Sequence, residues 1–217
     1  MTVRRWLFAV LTGIVAVPAA ALRVDAQETT IKGGVSVSRF QTTGLEHWDD
    51  RLIATTFGGH ARFRFGPVAL QPEVLITTRG ASASSAPETE QMRLDHIELG
   101  AMLVLPLTMG DLEPFAFAGP SLMLESRCRY LVRQDGLRTT VDCDPPAGQL
   151  FARTAFDYGL TAGVGVSHRI GDGRLAIEAR HTRGLRNIYD GGAEFEARNR
   201  SFAAMIGYTL NLGDPGS

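Results

Sequence analysis

Nine ionisable residues sit at two-residue spacings or on matching faces of neighbouring segments: His60, Arg62, Arg64, Glu73, Arg79, His96, Glu98, Glu178 and Arg180. A spacing of two puts successive side chains on one face of an extended strand. Carboxylates and guanidiniums gathered in this way can neutralise one another as a buried salt-bridge plug, or they can line a polar pore. If Phe65 pairs with Val68 across a tight turn, His60 faces Glu73, Arg62 faces Gln71, and Arg62 lies diagonal to Glu73. Across the Gly171 to Gly173 turn, Gly165 would face Arg180 and leave room for its side chain.

Nucleophilic chemistry is poorly supplied. It needs a nucleophile and a base within hydrogen-bond reach, and no such pair stands out by spacing. Gly163-Val164-Gly165 and Gly33-Gly34 precede no helix, so they do not read as phosphate loops. Cys128 and Cys143 have no His or Cys neighbours at ligand spacing, so no metal site is expected. The expectation is a protein that is not an enzyme and carries no cofactor.

The elements that must position these residues are strands. The chain reads as eight segments of period-two hydrophobicity with alternately short and long connections. The short links are Phe65 to Val68, Pro106 to Glu113 and Gly171 to Gly173; the long ones are Gln41 to Asp50, Gly80 to Gln91, Glu125 to Arg153 and Asn187 to Arg200. In one segment Ile53, Thr55, Phe57 and Phe63 oppose Ala54, Thr56, His60, Arg62 and Arg64. The same division recurs at Val68 to Arg79, Phe156 to Ser167, Leu175 to Thr182 and Ser201 to Leu212. One face is small or polar and rich in glycine; the other is apolar and free of charge through its middle. Phe63, Phe65 and Tyr208 gather toward the short turns, and Phe156, Tyr158 and Phe202 toward the long loops, as interfacial girdles do. A soluble lipocalin-like barrel also alternates, but the glycine-rich polar face and the unbroken apolar one favour lipid outside. The reading is an all-β, eight-stranded antiparallel up-and-down transmembrane β-barrel. Its interior would be only wide enough for side chains. Pro72 and Pro120 fall inside strands, where a bulge or strained register is expected.

Residues 1–26 read as a secretory signal: Arg4 and Arg5, an apolar stretch from Trp6 to Leu22, then Val24-Asp25-Ala26 ahead of Gln27. The barrel domain is then residues 27–217. Losing Arg4, Arg5, Arg23 and Asp25 moves the formal net charge from −1 to −3, too balanced for a nucleic-acid partner. In an oxidising compartment Cys128 and Cys143 are expected to form a disulfide. It would stabilise its loop by roughly 3 kcal/mol at most.

Several stretches together resemble the porin-like outer-membrane β-barrel family common in Bacteroidetes and related bacteria. Gly66 to Gly80, with its Leu70-Gln71-Pro72-Glu73-Val74-Leu75 core, resembles that family's signature hairpin. Pro114-Phe115 with Ala118-Gly119-Pro120-Ser121 resembles its fifth strand, and Phe156-Asp157 with Ala162-Gly163-Val164-Gly165-Val166 its sixth. Glu178-Ala179-Arg180-His181 with Gly184-Leu185 resembles its seventh, where the family usually has Tyr in place of His181. The likeness runs from about Ile31 to Leu212; the Cys128 to Cys143 insertion lies outside the general pattern. Gly207, Leu210 and Leu212 resemble the signal read by the barrel-insertion machinery, though Leu212 replaces the usual final aromatic. Arg180-His181 also resembles a strand of outer-membrane lipid A deacylases, but Thr182 and Arg183 stand where that motif wants a serine.

The resemblance implies a bacterial outer-membrane location, with the barrel-insertion machinery and outer-membrane lipids, lipopolysaccharide included, as partners. The expectation is a monomer with long loops extracellular and termini periplasmic. Its role is structural or surface-binding, with a lumen plugged by His60, Arg62, Arg64, Glu73, Glu98, Glu178 and Arg180. The alternatives are a small-solute channel and, remotely, a lipid-modifying enzyme.

Overall fold

The computed structural model describes residues 28–43, 50–85, 88–107, 109–143, 154–189 and 196–211. The signal read in residues 1–26 lies outside them. The described residues form nine antiparallel strands: β1 (Glu28–Thr43), β2 (Asp50–Phe65), β3 (Val68–Ser85), β4 (Glu88–Pro106), β5 (Leu112–Gln134), β6 (Leu137–Asp142), β7 (Phe156–Ile170), β8 (Gly173–Gly184) and β9 (Glu196–Asn211). Eight of them close a ring in the order β1-β2-β3-β4-β5-β7-β8-β9, and β6 is appended to the upper part of β5. The seam joins the two ends of the sequence, from Glu28↔Asn211 to Thr43↔Glu196. Closure pairs the ladder groups that an open sheet would leave bare at its edges.

Burial is inverted relative to a soluble protein. Ile31, Val35, Ile53, Phe57, Val74, Leu103, Leu160, Val164, Ile177 and Ile206 are exposed on the outside, while Lys32, Glu73, Glu98, Glu178 and Arg180 are buried inside. The same two-residue alternation produces both faces. The aromatics Phe65, Tyr208, Phe156, Tyr158 and Phe202 all point outward.

Three sequence expectations need correction. Gly80 to Gln91 and Glu125 to Arg153 are not simply loops: β3 and β4 stay paired up to Ser85↔Glu88, and β5 runs on to Gln134 and hairpins into β6. These extensions hold because their inner face is apolar. Phe40, Ala81, Met92, Leu94, Cys128, Cys143, Ile188 and Ala197 form a small core above the polar lumen. The hairpin turns at Asp135 (φ 50°) and Gly136 (φ 81°), the two left-handed positions of a type I′ turn, for which Asp-Gly is favoured. The second correction concerns the β7–β8 turn, which has two residues, with Ile170 opposite Gly173. Arg180 therefore faces Gly163, and Gly165 faces Glu178. Third, the register does not shift at the prolines. Ladder rungs are missing beside Pro72 and Pro120, but the pairing is the same before and after each. Proline removes a donor without inserting a residue. The irregularities lie at Arg51/Thr56 and Asp95/His96 instead.

Candidate functional site

The lumen holds two charge-balanced clusters. In the middle, Lys32 on β1 donates from Nζ to Glu73 Oε2 on β3 at 2.9 Å and to Glu178 Oε1 on β8 at 2.8 Å. Arg180 pairs with the other oxygen of Glu73. It also lies 3.6 Å from Glu178 and 3.8 Å from Glu98. Arg79 closes the cluster on Glu98. Three cations thus meet three carboxylates, drawn from β1, β3, β4 and β8. Toward the short turns, Arg62 lies 3.4 Å from Glu28 and 3.3 Å from Glu113. Arg64 reaches the same two carboxylates at 2.7 and 2.8 Å. Gln71 Oε1 accepts from Arg62 at 3.0 and 3.2 Å. Two cations meet two carboxylates here. Neutrality in each cluster matters because an unmatched buried charge would be far costlier than a matched one.

Aromatic rings fill the space between. Arg62 lies over Phe115 at 5.2 Å and Arg180 over Phe117 at 5.7 Å, distances at which a guanidinium is attracted to a ring face. Opposite them Gly163 and Gly165 leave no room for a side chain. A Cβ on Gly163 would sit 2.4 Å from Phe117 Cζ, and one on Gly165 2.3 Å from Phe115 Cζ. Among the described residues, a void of about 10 Å³ lies between Glu28, Lys32, His60, Arg62, Arg174 and Glu178.

The structure puts His60, Arg62, Glu73, Glu98, Glu178 and Arg180 on the inner face, buried, and Arg64 at the rim with 29% of its side chain exposed. Arg79 and His96 are also buried inside. The pairings differ in detail. His60 stands opposite Glu73 in register, but its Nδ1 has no partner, and Arg62 takes Glu28 and Glu113 instead of Glu73. Sequence reasoning missed Lys32, Glu28 and Glu113. A signal existed for the first two: Glu28, Thr30, Lys32, Ser36 and Ser38 alternate with Ile31, Val35 and Val37 on β1. Glu113 closes the short Pro106 to Glu113 link in the sequence, whereas β5 already starts at Leu112.

Above the lumen, Cys128 and Cys143 are bonded, tying β6 back to β5. Nearby, burial and a hydrogen bond to Glu90 push the Tyr130 phenol up from its ordinary value. No group of three or more His, Cys, Asp or Glu able to hold a metal is present among the described residues.

An inside-out ring of eight antiparallel strands agrees with what comparison finds. The family model for the outer membrane protein beta-barrel domain matches residues 7–209. The chain belongs to this family. As an outer membrane barrel-domain protein, it is a component of the bacterial outer membrane. Among solved structures, Neisserial surface protein A is 14% identical, with 85% of this chain and 97% of that chain covered and a TM-score of 0.49. The attachment invasion locus protein of Yersinia pestis is 12% identical, covering 84% and 98%, with a TM-score of 0.43. The outer membrane enzyme PagL is 11% identical, covering 81% and 97%, with a TM-score of 0.34. No curated protein matches the barrel-domain chain.

Proposed function

We propose that the protein is a monomeric structural or surface-binding barrel with a sealed lumen, whose working surface is the long-loop end. The observation that carries this reading is the pair of neutral charge clusters. They bridge the lumen from wall to wall, and the void beside them among the described residues is about 10 Å³. Such a void holds about one water molecule, whereas a permeant ion needs a continuous wet path. In this reading the β5–β6 hairpin faces the cell exterior, both chain ends face the periplasm, and the protein catalyses no reaction.

Planar-bilayer recording tests the seal. Wild type, Arg62→Ala and Glu73→Ala are all expected to give no single-channel steps. Steps from wild type whose size changes in either variant would replace the plug with a small-solute channel. A lipid-modifying enzyme would rest on His181, which faces outward beside Phe202. Mass spectrometry of lipid A from expressing cells is expected to show no new species. A new mass that disappears in His181→Ala would overturn the non-enzymatic reading.

A further inference from the structure

Three arginines stand directly opposite one another on consecutive strands of the outer wall. Arg183 on β8 pairs in register with Arg200 on β9, and Arg200 with Arg39 on β1. Arg51, next to the Leu52 that pairs with Ser38, continues the row onto β2. The row ends at Leu160 on β7, opposite Arg183. All four arginines have outward parity, and Arg39, Arg51 and Arg183 are exposed. Neighbours in such a row are about 5 Å apart. Like charges directly opposite one another destabilise a sheet. Yet among the described residues no carboxylate forms a salt bridge with any of these four, and Arg200 Nε is buried without a hydrogen-bond partner. By contrast Arg198, two residues above Arg200, is paired with Glu196 at 3.3 Å.

The row has a defined place on the barrel. One step below it runs the lipid-facing series Ile53, Val37, Phe202 and His181, paired rung by rung. At a strand tilt of about 40°, two residues correspond to roughly 5 Å along the barrel axis. The arginines therefore stand at the upper edge of the apolar band, where lipid tails give way to headgroups. Val37, Arg39, Arg51, His181, Arg200 and Phe202 line a groove of about 370 Å³ that is apolar below and cationic above.

We infer that this row is a binding site for the phosphorylated headgroup of an outer-leaflet glycolipid, lipid A in chemical class, with its acyl chains against Val37 and Phe202. The complementarity is threefold. An anion removes the repulsion between Arg183, Arg200 and Arg39. Guanidinium forks match phosphate oxygens in pairs. The apolar row below accepts chains that a soluble phosphate lacks. The inference rests on the proposed orientation, with the long-loop end outside.

The test measures retention of bisphosphorylated lipid A by the folded protein in detergent micelles, with the heat-dependent gel shift checking that each variant is folded. Wild type is expected to bind this lipid at least about tenfold more tightly than the same lipid stripped of its phosphates. The triple variant Arg39→Gln/Arg183→Gln/Arg200→Gln is expected to lose that difference while keeping the gel shift. Arg198→Gln, whose arginine is already paired, is expected to keep it. Equal binding of the two lipids by wild type, or an unchanged preference in the triple variant, would overturn the site. Displacement by inorganic pyrophosphate at the same concentration as lipid A would overturn the lipid in favour of a soluble phosphate. Orientation is read separately. Gln134→Lys adds a lysine beside the exposed hairpin turn, and amine biotinylation of intact cells reports whether that end is outside. Failure there removes the orientation without touching micelle binding.

Discussion

Lys32 and Glu178 are 146 residues apart in sequence, yet they meet at 2.8 Å across the lumen. Lys32 is the chain's single lysine. A flexible ammonium with three donors can serve two carboxylates on opposite walls, and Lys32 does so with Glu178 and Glu73.

Lys32→Met should leave the central cluster with one carboxylate in excess. Breaking a buried pair in this way costs about 3–5 kcal/mol. Urea unfolding from lipid vesicles is expected to show a loss of that size. The double variant Lys32→Met/Glu178→Gln restores neutrality, since Glu73 keeps Arg180, and should recover most of it. Equal losses in the single and double variants would mean that cluster charge balance is not what matters.

The single lysine also gives a chemical test of the seal. Lys32 is 3% exposed, so an amine-reactive ester should leave its side chain unmodified in the folded barrel and modify it once urea opens the ring. Peptide mass spectrometry reads both states. Rapid modification of Lys32 in the folded protein would show that water and small reagents enter the lumen freely.

Gly163 and Gly165 make room for the rings that underlie Arg180 and Arg62. Gly163→Val would drive a Cβ toward Phe117 Cζ and toward the Ala179 carbonyl, 2.5 Å away. Overpacking of this kind costs about 1–3 kcal/mol or more. Loss of the heat-modifiable folded band is expected, with partial recovery when Phe117 is changed to Leu.

The disulfide is expected to act locally. In Cys128→Ser/Cys143→Ser the gel shift of the barrel should persist, because the eight-strand ring closes without β6. The β5–β6 hairpin should lose up to about 3 kcal/mol of local stability, read as faster tryptic cleavage after Arg133 and Arg138. Unchanged cleavage would mean that the six rungs from Arg129↔Asp142 to Gln134↔Leu137 hold the hairpin without help.

The face of each residue was legible wherever lipid constrains the outside. On β2, β3, β7, β8 and β9 an apolar outer row is obligatory, so the inner positions of His60, Arg62, Glu73, Glu178 and Arg180 follow from parity alone. Above the lipid that constraint lapses. Gln91, Arg93 and Arg133 are polar on the outer face of β4 and β5, and those stretches read as loops. Partner identity was less legible still, because it depends on register and register on turn length. A pairing across the turn at Gly171 and Asp172 that is out by two residues moves Arg180 from Gly163 to Gly165. Glu28 and Lys32 escaped notice because the polar run from Glu28 to Lys32 carries one strong hydrophobe, Ile31.

The seam between β1 and β9 joins residues nearly the whole chain apart, and contacts of such sequence separation form late. Until they form, Lys32 is missing from Glu178, and Arg180 from Glu73 on the opposite wall. A half-zipped barrel would hold naked charges against hydrocarbon unless its interior stayed wet. The last strands to meet must therefore also expel that water, so drying of the interior and completion of the wall become one event, joined through Lys32.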